Sequence, residues 1–102
     1  GSTLSDLAAG GRMMATPAEV ANDMAAHATY WEKRDKKIAA ACRDAARLMQ
    51  TMLSGQYPDG RTFSGVYGRL LRLEHHSERY QAYPNFGRAR QALALLYNGR
   101  RK

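Results

Sequence analysis

The sequence feature that most restricts the fold is a run of residues spaced alternately by four and three. Val20, Met24, His27, Trp31, Arg34, Ile38, Ala41, Ala45, Leu48 and Met52 keep that spacing without a gap. Such steps return to one face of an α-helix, whereas a strand, with its period of two, scatters them over both faces. Met24, Trp31, Ile38, Ala45 and Met52 then occupy one core position of a heptad. Val20, His27, Arg34, Ala41 and Leu48 occupy the other, and Cys42 and Met49 widen the stripe.

Helix signals bound this stripe. Thr16-Pro17-Ala18-Glu19 supplies a capping hydroxyl, a proline for the first helical position and a glutamate three residues after the cap. No glycine or proline follows until Gly55, which suits a C-terminal cap. The pattern predicts one helix from Thr16 to Ser54, about 38 residues and roughly 55 Å long at about 1.5 Å per residue. Glu32-Lys33-Arg34-Asp35-Lys36-Lys37 interrupts its apolar character midway. Arg34 reads there either as a register-setting polar residue or as the mark of a bend, with the continuous helix favoured. A helix of that length cannot cover its own stripe, so shorter helices or a second copy of the chain must do so.

The remainder divides into two shorter helices. Tyr57-Pro58-Asp59-Gly60 is a turn signal, and Ser64 is expected to cap a second helix running to about Ala82. Val66, Leu70, Leu73 and Tyr80 form its apolar face, flanked by Tyr67 and Leu71. Tyr83-Pro84-Asn85 ends it. A third helix follows from Phe86 to Asn98 and buries Ala89, Leu93, Leu96 and Tyr97. No strand-like alternation occurs, so the expected fold is all-α: one long, heptad-patterned N-terminal helix packed against two shorter helices in a small bundle. A chain of 102 residues holds one domain. Residues 1–15 read as a flexible lead-in, with Gly1-Ser2 a cloning remnant, and residues 16–102 as a single helical domain with a basic tail over 99–102.

Charge adds a constraint on function. The net charge is +7, and it is lopsided. The seven Lys/Arg up to residue 60 are matched by seven acids, whereas residues 61–102 set nine Lys/Arg against only Glu74 and Glu78. Eight of those nine are arginine, whose planar fork suits phosphate and carboxylate. Arg69, Arg72, His76 and Arg79 are spaced to share one stripe of the second helix, with Arg61 before it and Arg88 and Arg90 near the start of the third. That set is the candidate binding surface, for nucleic acid or for an acidic protein or nucleoprotein partner. A sharper form makes the last two helices a helix-turn-helix with Arg88, Arg90 and Gln91 near the start of a recognition helix. Most aromatic residues of the basic half read as core, with Tyr83 and Phe86 the exceptions best placed to stack on bases. The seam residues Met24, Trp31, Arg34, Ile38, Ala41, Ala45 and Leu48 are the candidate core and oligomer seam, covered in part by the two shorter helices and for the rest by a second copy of the chain in a homodimer.

Other chemistries lack their motifs. Cys42 is a lone cysteine within the apolar stripe, where an inert thiol is expected. His75 and His76 are adjacent and point about 100° apart on a helix, a poor arrangement for one metal ion. Gly65-Val66-Tyr67-Gly68 has neither the spacing nor the lysine of a phosphate loop. No catalytic residue, metal or cofactor is therefore expected, and the chain reads as non-enzymatic. No apolar run approaches the roughly 18 residues that span a bilayer, and no signal-peptide pattern appears, so a cytoplasmic protein is expected. The leading expectation is a small, basic, nucleic-acid-associated helical protein. The alternative is an inhibitor or adaptor of the phage or mobile-element kind, anti-CRISPR-like, that docks on a host protein or nucleoprotein complex.

Overall fold

The computed structural model describes residues 15–76 and 83–99. The lead-in up to Met14, Arg79 and Tyr80 of the second predicted helix, and the tail from Arg100 lie outside the described residues. Four helices follow one another: α1 (Pro17–Trp31), α2 (Lys36–Leu53), α3 (Gly60–Glu74) and α4 (Phe86–Gly99). The described residues contain no strand, as the all-α reading requires.

The single long helix is not formed. The chain leaves the helix after Trp31, and Asp35 adopts an extended conformation (φ −149°, ψ 105°) that starts α2. Its carboxylate accepts hydrogen bonds from the backbone N–H groups of Lys37 at 3.0 Å and Ile38 at 3.3 Å. These two donors would otherwise lack partners at a helix start. Arg34 is consequently not a seam residue. It lies exposed in the turn, donates to the Tyr30 carbonyl at 2.6 Å and places its guanidinium 3.9 Å above the Tyr30 ring. Arg43 of α2 reaches back to Glu32, which anchors the turn to the following helix.

The physical reason for the break is that six consecutive charged residues, 32–37, have nothing to bury, while the apolar segments on either side do. Folding at that cluster lets α1 and α2 cover each other as a helical hairpin. Val20, Met24 and Trp31 of α1 are buried, as are Ile38, Ala41, Cys42, Ala45, Leu48, Met49 and Met52 of α2. The stripe read as a coiled-coil seam is thus covered within one chain.

Other boundaries follow local chemistry. The capping box at the start of α1 is complete: Thr16 Oγ1 accepts from the Glu19 N–H at 3.2 Å, and Glu19 accepts from the Thr16 N–H at 2.9 Å. At the end of α2, Gly55 takes φ +98°, with bonds from its own N–H to the Met52 carbonyl and from the Gln56 N–H to the Thr51 carbonyl. That pair of bonds is a Schellman closure, and the left-handed residue it requires favours glycine.

α3 begins four residues before the expected Ser64 cap. Asp59 is the cap and accepts from the Thr62 N–H at 2.7 Å, which leaves Ser64 exposed on the helix surface. α3 also stops at Glu74, capped by His75, short of the predicted Ala82. α4 starts at the expected Phe86, with Asn85 Oδ1 accepting from the Arg88 N–H at 2.9 Å.

α4 touches all three other helices. Its Phe86, Ala89, Ala92 and Leu93 are buried, as is Leu70 of α3. Phe63 and Tyr97 stack face to face at 4.1 Å and fasten α3 to α4. Of Tyr83 and Phe86, expected as base-stacking rings, Phe86 is internal instead and Tyr83 is half-buried against the core. Phe86 is buried, and Tyr83 meets it edge-on at 5.3 Å while donating to the Leu73 carbonyl at 2.7 Å. None of the described helices is long and apolar enough to cross a membrane.

Candidate nucleic-acid interface

α3 carries most of the candidate surface, and its helical period decides which residues it offers. Leu70 is buried, with Phe63, Val66 and Leu73 packed beside it on the core side. At about 100° per residue, the line directly opposite runs through Arg61, Gly65, Gly68 and Arg72. Arg61, Gly65 and Arg72 are exposed and Gly68 is half-buried. Neither arginine has an acidic partner among the described residues.

The other predicted site residues fall into three groups. Arg69 flanks the outward line and bonds Asp44 of α2 at 2.8 Å, with both side chains substantially exposed. Arg90 turns inward, donating to Glu74 at 2.7 Å and to the Tyr67 hydroxyl at 3.3 Å. That contact holds the Glu74 carboxyl below its usual range and raises the Arg90 guanidinium further. Arg88 and Gln91 are exposed on α4, Arg88 with no acidic partner among the described residues. His76 is exposed just beyond α3, and Arg79 lies outside the described residues. Sequence reasoning passed over Arg47, which is exposed on α2 and likewise without an acidic partner among the described residues. It belongs to the half of the chain whose charges sum to zero, so a count by halves hides it.

Of the three residues placed at the head of a recognition helix, Arg88 and Gln91 face outward and Arg90 is held by Glu74. Beside them runs an open groove of about 460 Å³ between the start of α1 and α4. Ala15, Pro17 and Val20 line one side, and Gln91, Ala92 and Leu95 the other. Leu95 is 64% exposed, the largest value for a bulky apolar residue among those described.

The residues weighed for catalysis or metal binding are placed as follows. Cys42 is fully buried, and desolvation, with the Asp23 charge adding to it, pushes its thiol up to about 12. Thiolate chemistry is therefore out of its reach near neutral pH. His27 is partly buried on α1, with Nε2 3.6 Å from Asp23. Among the described residues no three His, Cys, Asp or Glu side chains converge as a metal site would need. Comparison of the chain with protein-family models, curated proteins and solved structures gives no match.

Proposed function

We propose that this chain is a non-enzymatic, nucleic-acid-associated helical protein that holds phosphates through the outward arginines of α3 and its neighbours. The observation that carries the reading is the contrast between paired and unpaired arginines. Arg43, Arg69 and Arg90 are each matched to an acid, whereas Arg47, Arg61, Arg72 and Arg88 are exposed with no acidic partner among the described residues. An arginine fixed to a neighbouring carboxylate has little left to offer a phosphate. An unpaired, solvated one releases counterions on binding and so gains affinity.

The test is a salt series of binding to labelled double- and single-stranded nucleic acid, with the protein's mass measured in the same buffers. The proposal requires affinity that falls steeply with salt. Absence of binding at low salt by the folded protein sinks it. The mass measurement also tests the homodimer, which would have to use exposed residues, since the seam is buried within the chain.

A second reading is a protein-docking inhibitor or adaptor, such as a mobile element might encode, and Leu95 beside its groove favours it. There the groove between α1 and α4, rather than the arginine line, would take the partner. Stable co-purification of one protein complex free of nucleic acid, abolished by Leu95→Glu, would select this reading.

A further inference from the structure

The charged run 32–37 mixes acids with bases in the sequence, and the fold commits both acids. Glu32 is tied to Arg43 of α2, and the Asp35 carboxylate is taken up by the N–H groups of Lys37 and Ile38. Lys33, Arg34, Lys36 and Lys37 are left exposed, with no acidic partner among the described residues. Lys36 and Lys37 also occupy the first turn of α2, where the positive end of a helix disfavours cations. Packing of the bundle asks for neither of them.

An aromatic ring completes the tip of the hairpin. Tyr30 at the end of α1 is 43% exposed, although it meets Trp31 edge-on at 5.6 Å. The Arg34 guanidinium lies 3.9 Å from the centre of the Tyr30 ring, pinned there by its bond to the Tyr30 carbonyl at 2.6 Å. That bond satisfies a carbonyl at the end of α1 and accounts for the arginine. It does not account for a solvated ring beneath it. The two side chains form a pre-ordered pair among cations, and each offers a flat surface of the kind on which a nucleobase stacks.

We infer that the tip of the α1–α2 hairpin is a second contact surface, which holds unpaired bases of single-stranded nucleic acid on Tyr30 and Arg34 and the adjoining phosphates on Lys33, Lys36 and Lys37. The inference rests on the proposed function and names the form of nucleic acid recognised. Stacking needs a free base face, which a duplex hides between neighbouring pairs, so the ring selects single strands. The outward arginines of α3 make no such choice, because phosphates are present in either form.

The experiment uses the full chain with a labelled single strand of about 15 nucleotides, as DNA and as RNA, beside a DNA duplex of the same sequence at low salt. Tyr30→Leu, Tyr30→Phe and Lys36→Gln/Lys37→Gln are compared with wild type, with Tm and mass recorded for each. Tyr30→Leu should lose at least about fivefold in single-strand affinity, the effect of one stacked base, and keep its duplex affinity. Tyr30→Phe retains the ring and should bind as wild type does. Lys36→Gln/Lys37→Gln should bind the single strand more weakly and with a flatter salt dependence, while its Tm stays level or rises. The DNA and RNA strands show which backbone the site prefers. Tyr30→Leu that binds single strands as wild type does, or that loses single strand and duplex equally, would overturn the inference and leave the proposed function standing. Polyglutamate that displaces the single strand at equal charge would assign the tip to an acidic protein and overturn it as well. Wild type that binds neither form at low salt would overturn both.

Discussion

The Glu74 carboxylate at the end of α3 lies between Arg90 and Gly87 of α4, accepting from Arg90 Nε at 2.7 Å while approaching the Gly87 backbone closely. A Cβ on Gly87 would stand 2.6 Å from Glu74 Oε2, so a larger residue there would have to push the end of the Glu74 side chain aside. The pair ties the end of α3 to the start of α4. Both side chains are still partly open to solvent, which limits its worth to about 0.5–1 kcal/mol. Glu74→Gln and Arg90→Ala should each lower stability by about that amount in urea unfolding. Combined, they should cost less than their sum, because both break one contact.

The same pair sets a pH dependence. The Arg90 hydrogen bond holds the Glu74 carboxyl below its ordinary 4.5 in the folded protein. A depressed folded-state value means that the contribution is complete above the unfolded value and is lost as pH falls through the folded one. The urea midpoint should therefore drop as pH is lowered from 6 toward 3, and Glu74→Gln should show a smaller drop. Equal slopes for the two proteins would remove Glu74 as a contributor.

Cys42 should be silent toward thiol reagents in the native state. Its thiol is fully buried and displaced up to about 12 by desolvation, so both access and thiolate are lacking at pH 8. Modification by an aromatic disulfide reagent should proceed only as fast as the protein opens, and immediately in denaturant. Fast native-state labelling would mean that α2 is far less well covered than its packing against α1 implies. Cys42→Ser should destabilise by about 1–3 kcal/mol, because it places a hydroxyl in an apolar setting.

The turn between α1 and α2 rests on Asp35. Removing its two accepted hydrogen bonds in Asp35→Ala should lower stability by about 1 kcal/mol, as loss of an N-cap does, measured by denaturant unfolding. The same change weakens the signal against helix continuation, so the variant should also show a raised fraction of dimer at high concentration by mass measurement. In that dimer an extended α1–α2 would cover its stripe with another copy.

That turn also marks where the sequence stopped being legible. The Thr16 capping box, the Gly55 closure and the start of α4 are governed by residues within five positions of one another, and the sequence predicts each of them. The heptad pattern decided nothing about residues 32–35, because Trp31 and Ile38 are seven apart and both buried whether the helix continues or folds back. Choosing between those outcomes needs the energy of covering the stripe from within the chain, a long-range quantity that spacing does not contain. The site behaves in the same way. The arginine excess of the C-terminal half was visible by counting, but the partners that remove Arg69 and Arg90 from the free set lie 25 and 16 residues away. Helical spacing alone put Arg69 and Arg72 together; the fold separates them by giving only Arg69 an acid.

That separation gives the functional prediction its sharpest form. Each arginine that binds a phosphate should contribute about one unit to the slope of log affinity against log salt. Arg61→Ala and Arg72→Ala should each weaken duplex binding uniformly across sequences and reduce the slope by about one. Arg90→Ala should leave the slope unchanged and lower stability instead, because its guanidinium is already committed to Glu74. Arg69→Ala lies between, since its bond to Asp44 is exposed and can be exchanged for a phosphate. Equal slopes for Arg72→Ala and Arg90→Ala in folded proteins would show that charge alone, and not the outward line of α3, governs binding.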